Sequence, residues 1–318
     1  MDKEEHLARL KEADDWLRGS EERPPDPVEA VARLEDLART GSAPAMLRLS
    51  ALTAQGLGRR QDWSEALDLL CAAAERAPPG SVPQRQLQIL AGVPAGAATE
   101  MRDLRSNIDQ DRLLTPPRIE RLSDISMVAA VRGFAPAGFC EWIISRVNVL
   151  APAHVAMMGT GDVVQSAART ATHCVFGATT RDVVMAVMME RASRLFGAPI
   201  PNHESPQVIN YEPGQLFAPH HDWIAPELLA NDPRFSNRGQ RMATLVTYLN
   251  DEFEEGATRF PILDITFRGR PGDAIVFSNV QPNGVPDTDT LHEGAPVKSG
   301  RKWVLSQWLR TQPQPVFG

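Results

Sequence analysis

The sequence predicts an α+β protein, in which an all-α helical repeat region precedes a C-terminal double-stranded β-helix, or jelly roll. Two observations lead to this prediction. Apolar residues recur at helical spacing in the first hundred residues, whereas after Pro201 they form short runs bounded by Gly, Pro, Asn and Asp. Short strands separated by turns favour a sandwich or barrel. We therefore expect a helical domain over residues 1–105 and a second domain over 106–318.

The bulk composition narrows the classes of function. The chain has 318 residues, of which 42% are hydrophobic, and a formal net charge of -7. This acidity argues against a nucleic-acid partner, because phosphate-binding surfaces are usually basic. The three cysteines are widely spaced and include no CxxC pair, as is typical of free thiols in a reducing compartment. A charged N-terminus without an apolar run predicts a cytoplasmic protein that makes no membrane contact.

Two helix starts in the N-terminal region resemble each other. Residues 26–29 (DPVE) offer an aspartate N-cap, a proline at the first helical position and a capping-box glutamate, and residues 62–65 (DWSE) offer a similar start. Leu34 and Leu70 keep the same 36-residue register. This periodicity resembles that of tetratricopeptide-like repeats. Such helices could recruit a partner, or they could only pack against the second domain.

The sequence of the second domain predicts both helices and strands. Ile125 to Arg132 reads as a strand, Pro136 to Val149 as a helix, and 181–196 as an amphipathic helix. After Pro201, apolar runs predict four strands: Gln207 to Tyr211, Ala243 to Leu249, Ala274 to Phe277 and Trp303 to Leu309.

A candidate metal site lies among these strands, within a core at about 203–311. His220 and Asp222 are two residues apart, so at a strand end both side chains face the same way while His221 points elsewhere. His292 is a distant third ligand. Two imidazoles and one carboxylate are the ligand set of mononuclear iron(II) oxygenases, and they leave other metal positions open. Lys302 follows as a fixed positive charge suited to a dicarboxylate co-substrate.

Zinc would accept the same three ligands. A zinc hydrolase would also need its own general base, and the sequence contains no HExxH motif. Iron(II) is therefore the preferred metal.

Several motifs together resemble the prolyl 4-hydroxylase family of iron(II)/2-oxoglutarate dioxygenases. The resemblance runs over about residues 125–311, in order and with compatible spacing. It is carried by YEPGQLFAPHHD (211–222), RMATLVTYLN (241–250), EGATRFP (255–261), PGDAIVF (271–277) and LHEGAPV (291–297), with Lys302-Trp303, and upstream by ART (168–170) and HES (203–205).

This resemblance implies a role for each matching residue. His220, Asp222 and His292 would hold iron(II), and Lys302 would pair with the distal carboxylate of 2-oxoglutarate. The same co-substrate would receive hydrogen bonds from Tyr211 and Thr258. The positions that would line the acceptor groove are Arg169, Glu204, Arg241 and Trp308. The family's reaction also uses dioxygen, with ascorbate as a stimulating reductant.

The acceptor is less constrained than the chemistry. Ala171, Phe217 and Arg310 stand where the family usually has Ser, Tyr and His, and all three lie near the expected groove. The leading hypothesis is hydroxylation of prolyl residues in a protein or Pro-containing peptide, which the N-terminal helices could recruit. A hydroxylase of a free amino acid or other small molecule is the alternative. The third hypothesis is a non-catalytic interaction protein built from repeats.

Overall fold

The structure is a computed structural model that describes residues 3–94, 96, 99–152, 155–156, 163–164 and 168–315. The chain divides into two compact units. The first contains the residues up to Thr115 together with Gly177–Arg191. The second contains Pro116–Phe176 and Ala192–Pro315.

Helices form the first unit and interrupt the strands of the second. The α-helices are α1 (Lys3–Arg18), α2 (Pro27–Arg39), α3 (Ala43–Gln55), α4 (Trp63–Arg76), α5 (Val82–Leu90), α6 (Met101–Asn107), α7 (Gln110–Leu114), α8 (Phe139–Ser145), α9 (Val183–Phe196), α10 (Pro226–Asn231) and α11 (Pro233–Ser236).

The strands follow in chain order through the second unit. They are β1 (Glu120–Arg121), β2 (Val128–Val131), β3 (Ala151–Pro152), β4 (Val155–Ala156), β5 (Val163–Val164), β6 (Thr172–Val175), β7 (Gln207–Tyr211), β8 (Phe217–His220), β9 (Arg241–Tyr248), β10 (Phe253–Glu255), β11 (Thr258–Phe260), β12 (Ile265–Phe267), β13 (Ala274–Ser278), β14 (His292–Gly294), β15 (Val297–Gly300) and β16 (Lys302–Arg310).

The helix starts in the first unit are capped much as the sequence indicates. Asp26 accepts hydrogen bonds from the amides of Val28 and Glu29, and Asp62 caps α4 in the same manner. The expected capping-box bond is absent, because the Glu29 side chain pairs with Arg33 and the Asp26 amide donates to the Trp16 carbonyl. Leu34 and Leu70 are fully buried, which is why apolar residues recur at these positions.

Antiparallel sheets form the second unit. Among the described residues, the larger sheet has the strand order β1-β2-β13-β9-β16-β7-β6-β3, and a smaller sheet has the order β12-β11-β14-β8. Within the larger sheet, β16 lies between β7 and β9, so Lys302 pairs with Tyr211 and Trp308 pairs with Thr244. This strand arrangement confirms the predicted α+β class with a jelly-roll second domain.

Aromatic and branched side chains fill the core of the second unit. Residues from both sheets belong to one buried cluster, including Phe260 of β11, and Tyr248 and Phe277 of the larger sheet. The Phe260 and Phe277 rings meet edge to face with centroids 5.1 Å apart. The same two rings pack against His292, so residues of the hydrophobic core also form one side of the candidate metal site.

The four strands expected after Pro201 are all present, and β7 has the predicted bounds. The helix expected over 181–196 is α9. The other three strands, β9, β13 and β16, are each one or two residues longer than expected. Two elements before Pro201 are instead shorter than expected. The strand expected from Ile125 begins only at Val128, and Ile125 itself is 75% exposed. The helix expected over 136–149 is limited to α8 because Gly138, in the left-handed conformation, precedes its first residue.

No helix within the described ranges combines the length and the apolar character needed to cross a bilayer.

Candidate metal centre and co-substrate cavity

The three expected metal ligands meet at the edge of the smaller sheet. His220 ends β8, Asp222 follows two residues later, and His292 begins β14. Because β8 and β14 pair with His220 opposite His292, two distant parts of the chain bring their imidazoles together. The candidate ligand atoms of the three residues lie within 4.8 Å of one another. Nε2 of His220 is 3.7 Å from Oδ1 of Asp222, and Nε2 of His292 is 3.7 Å from Oδ2.

Backbone carbonyls orient both imidazoles. Nδ1 of His220 lies 2.8 Å from the Ala218 carbonyl, and Nδ1 of His292 lies 3.1 Å from the Thr290 carbonyl. A carbonyl oxygen only accepts hydrogen bonds, so Nδ1 carries the proton in each ring. Both Nε2 atoms are then unprotonated, and their lone pairs point into the space beside Asp222. Metal-ligating histidines usually have this arrangement, with the other ring nitrogen donating to a carbonyl. His221 is directed elsewhere, since its Nε2 lies 3.0 Å from the Thr288 carbonyl.

Burial controls the charges of these groups. Desolvation, followed by the neighbouring His292, lowers the pKa of His220 to about 3, and desolvation also lowers the pKa of His292. Burial alone would raise the pKa of Asp222. The adjacent imidazoles, Arg241 and the Thr244 hydroxyl outweigh that effect and hold this pKa below its usual range. At neutral pH the site therefore offers two neutral imidazoles and one carboxylate.

This donor set fits the metal that the sequence predicts. Two neutral nitrogens and one carboxylate oxygen, converging from one side, match the two-His, one-carboxylate triad that binds iron(II) and leaves other positions open. His220, Asp222 and His292 are thus the residues able to hold iron(II) here.

Lys302 lies in the same cavity as the triad. The cavity is lined by side chains of both sheets, among them Tyr211, Thr258 and Lys302. Lys302 is 2% exposed, and no carboxylate in the described parts of the chain forms an ion pair with it. Its ammonium lies 4.9 Å from the Tyr211 ring centroid and 5.2 Å from that of Tyr248. Desolvation lowers the pKa of Lys302 to about 7, since none of the described residues offers a carboxylate to pair with it.

Thr258 reaches the cavity but its hydroxyl is already engaged. Its Oγ1 lies 2.9 Å from the Tyr248 hydroxyl, which also accepts from the Thr258 amide and donates to the Phe267 carbonyl. Tyr248 is fully buried beside Lys302 and was not singled out from the sequence. Its inward position on β9, four residues after Thr244, is a signal that could have identified it.

Three of the four expected acceptor-groove residues lie together beside Asp222. Glu204 accepts hydrogen bonds from Arg241 through both carboxylate oxygens, at 2.6 and 2.8 Å. The Arg241 guanidinium lies 4.8 Å from the Trp308 ring centroid, and its Nη1 is 3.9 Å from Oδ1 of Asp222. The fourth residue, Arg169, is buried, with its guanidinium 4.9 Å from the Phe217 ring centroid. Phe217 in turn stacks on His220 with ring centroids 3.4 Å apart.

Arg310 joins this group, although the sequence marked it only as a departure from the family pattern. Its Nε donates to Oε1 of Glu204 at 2.6 Å, and its Nη1 donates to the Gly239 carbonyl at 2.7 Å. Glu204 therefore pairs with two guanidiniums, both of which donate to Oε1, and these two cations hold the pKa of its carboxyl below the usual range despite burial. Both Glu204 oxygens are engaged within the protein.

Two further polar residues near the triad were not predicted. Thr244 donates to Oδ2 of Asp222 at 2.8 Å, and Asn279 donates to the Thr244 hydroxyl at 2.9 Å. Each is 1% exposed. Thr244 belongs to the inward-facing alternation of β9, but no spacing in the sequence relates Asn279 to it.

The chain is similar to known oxygenases. Residues 206–310 match a protein-family model described as the 2OG-Fe(II) oxygenase superfamily. Probable prolyl 4-hydroxylase 7 of Arabidopsis thaliana is 28% identical over 251 residues, which cover 73% of this chain and 76% of that protein. Probable prolyl 4-hydroxylase 9 of the same plant is 31% identical over 200 residues, which cover 57% of this chain and 67% of that protein.

A viral protein and a viral crystal structure are also similar to this chain. A putative prolyl 4-hydroxylase of Acanthamoeba polyphaga mimivirus is 37% identical over 124 residues, covering 39% of this chain and 51% of that protein. The chain thus spans between 51% and 76% of the length of these three relatives. The crystal structure of viral collagen prolyl hydroxylase from Paramecium Bursaria Chlorella virus-1, a 2OG complex, is 27% identical. It covers 57% of this chain and 94% of its own, with a TM-score of 0.44.

The low pKa of Lys302 predicts that affinity for 2-oxoglutarate weakens as pH rises from 7 to 9. Only the protonated amine pairs with a carboxylate, and above a pKa of about 7 binding must first take up a proton. The dissociation constant should rise about tenfold per pH unit. Calorimetric titration of the Mn(II)-loaded protein without oxygen, in buffers of different ionisation enthalpy, measures both the affinity and the proton uptake.

Lys302→Met is the matched variant for this measurement, because it retains an unbranched, buried side chain without a charge. It should bind 2-oxoglutarate weakly and with no pH dependence over the same range. Tight binding by this variant, or a wild-type affinity that does not change between pH 7 and 9, would contradict the role of Lys302.

Proposed function

This chain belongs to the prolyl 4-hydroxylase family of 2OG-Fe(II) oxygenases, and on that premise we propose that it hydroxylates prolyl residues of a protein or Pro-containing peptide. The observation that carries the proposal is one cavity lined by His220, Asp222 and His292 together with the buried Lys302. The named relatives support the prolyl acceptor.

The proposed metal ligands are His220, Asp222 and His292. When bound there, iron(II) supplies the redox chemistry that couples oxidation of 2-oxoglutarate to succinate and carbon dioxide with insertion of the second oxygen atom of dioxygen into an acceptor C–H bond. The protein holds the ligand nitrogens in place through the Ala218 and Thr290 carbonyls. Its contribution is therefore orientation of the ligands before any substrate arrives.

Lys302 is the proposed partner of the distal carboxylate of 2-oxoglutarate, with which its ammonium forms an ion pair. The Tyr211 and Tyr248 rings beside its ammonium provide apolar surfaces that exclude water and raise the strength of the ion pair. Tyr211 and Thr258 are the proposed hydrogen-bond partners of the same co-substrate, and Thr258 would exchange its hydroxyl's bond to Tyr248 for this one. We assign Arg169, Glu204, Arg241 and Trp308 to the side of the cavity that faces the acceptor.

The N-terminal helices are proposed to recruit the protein substrate. A groove of about 500 Å³ lies among α2, α3 and α4, with an apolar floor that includes Ala38, Leu69 and Ala72. Its rim carries both signs of charge, with Arg59 paired to Glu35 and Glu65. A peptide segment with apolar anchors would fit such a groove. We also propose a cytoplasmic location, which the three free and buried cysteines support.

The acceptor is tested by incubating the iron(II)-loaded protein with 2-oxoglutarate and a lysate of host cells that lack this gene. We expect hydroxyproline at defined sites of one or a few proteins, detected by mass spectrometry as one added oxygen. The control reaction omits 2-oxoglutarate. Succinate formation without a modified protein would favour a small-molecule hydroxylase, with free proline tested first. No succinate from iron-loaded protein with any acceptor would favour a non-catalytic interaction protein.

Blocking the groove should separate recruitment from chemistry. Ala72→Arg fills the groove from a partly exposed position. We expect kcat/KM for the full protein substrate to fall about tenfold, as for loss of an important interface contact, while a short peptide around the same proline reacts normally. Val28→Arg, at a position 65% exposed and outside the groove, serves as the control. Equal turnover of the protein substrate by wild type and Ala72→Arg would refute recruitment through this surface.

Adjacent histidines give a matched test of the metal ligands. In His220→Ala or His292→Ala, Fe(II) affinity and 2-oxoglutarate turnover should each fall at least about 100-fold, because one of the three proposed metal ligands is removed. His221→Ala should retain metal binding, since that side chain is directed to the Thr288 carbonyl. Metal affinity is measured by equilibrium dialysis and folding by circular dichroism. Substantial turnover by His292→Ala, or metal loss confined to His221→Ala, would contradict the proposed triad.

A further inference from the structure

Asp222 is held by two donors on one side of its carboxylate. The Thr244 hydroxyl and the Trp308 indole N–H both lie within hydrogen-bond distance of Oδ2, at 2.8 and 2.9 Å. Asp222, Thr244 and Trp308 are 7%, 1% and 5% exposed, so water does not compete freely for these contacts. Nothing in the resemblance or the comparisons assigns Thr244 a role.

The direction of every hydrogen bond in this group is determined by its chemistry. An ionised carboxylate only accepts, and an indole N–H only donates. Thr244 has a single hydroxyl proton, which must therefore point at Oδ2 of Asp222. Its remaining lone pairs are available to Asn279, whose Nδ2 donates to Thr244 Oγ1 at 2.9 Å. The chain of bonds runs in one direction, from Asn279 through Thr244 to Asp222.

The two carboxylate oxygens are consequently not equivalent. Oδ2 receives two short hydrogen bonds, which occupy its lone-pair directions. Oδ1 has the Arg241 Nη1 at 3.9 Å, a distance too long for a hydrogen bond. Each oxygen lies 3.7 Å from one ligand nitrogen, Oδ1 from Nε2 of His220 and Oδ2 from Nε2 of His292, so the two oxygens differ in the hydrogen bonds they accept and not in their distance from the imidazoles.

We propose that Thr244 and Trp308 are positioning residues that fix Asp222 through Oδ2 and leave Oδ1 as the single carboxylate atom for the metal. This inference rests on the proposed metal centre and deepens it. Two donors from neighbouring strands, β9 and β16, set both the tilt and the rotation of the carboxylate, which one donor alone would leave free to turn. Asn279 supports them by orienting the Thr244 hydroxyl.

The test uses Co(II) and the full-length protein after removal of metal. Co(II) absorption in the visible range reports both the dissociation constant and the coordination of the ion. Thr244→Val removes the hydroxyl at nearly constant size, and Trp308→Phe removes the N–H while retaining an aromatic face for Arg241. Each should weaken Co(II) binding by about 10- to 100-fold and alter the band intensities, as loss of an outer-shell partner does.

Two controls separate positioning from general damage. Thr244→Ser keeps the donor and should bind Co(II) within about threefold of wild type, with the wild-type spectrum. Thr247→Val makes the same substitution on the opposite face of β9. Thr247 is fully buried, and its hydroxyl has no hydrogen-bond partner within the described ranges, so metal binding should not change.

The outcomes are distinguishable. Wild-type affinity and an unchanged spectrum in both Thr244→Val and Trp308→Phe would overturn the inference while leaving the metal centre intact. If wild-type protein itself fails to bind Co(II), the metal centre is wrong and the inference falls with it. Circular dichroism of the metal-free variants checks folding, and Trp308→Phe tests the proposal independently if Thr244→Val does not fold.

Discussion

The constraint on which the rest of the site depends is a carboxylate buried between two sheets. An ionised Asp222 at 7% exposure would be strongly destabilising without compensation. Compensation comes from separate parts of the chain: Thr244 from β9 and Trp308 from β16 donate hydrogen bonds to Oδ2, and the Arg241 guanidinium lies 3.9 Å from Oδ1. Because these partners belong to different strands, the register of each ladder must be correct before the carboxylate is stabilised. The fold and the metal centre are thus specified by the same pairings.

A second buried carboxylate extends this arrangement towards the acceptor side. Glu204 joins Arg241 to Arg310, and Arg241 lies over the ring whose N–H holds Asp222. Oε1 of Glu204 accepts from both guanidiniums and Oε2 accepts from Arg241 alone, so the carboxylate orients these two cations. Arg310 stands where the family commonly has His, so it is this chain's own residue that completes the pairing. The proposed acceptor side of the cavity therefore differs from the family pattern, whereas the proposed ligand triad does not.

Sequence reasoning succeeded where one local pattern decides the outcome. The bounds of β7 follow from an apolar run, and the meeting of His220 with Asp222 follows from their two-residue spacing. It failed where the outcome depends on which strands become neighbours. Asn279 acts on Asp222 only because β13 pairs with β9, and no spacing in the chain encodes that pairing. The start of α2 shows the same limit. The Asp26 amide, which would donate to Glu29 in a capping box, donates instead to the Trp16 carbonyl.

Lys302 has aromatic neighbours, Tyr211 and Tyr248, where a carboxylate would be expected to pair with its charge. A carboxylate from the protein beside Lys302 would restore its ordinary pKa, but it would also compete with any dicarboxylate for the same ammonium. The rings of Tyr211 and Tyr248 attract the cation weakly and cannot satisfy it. Among the described residues, the cavity therefore has a buried cation without a paired carboxylate at one end and an oriented anion, Asp222, at the other. A metal and a dicarboxylate together would neutralise both, so occupation of the cavity and stability of the fold are linked by the same charges.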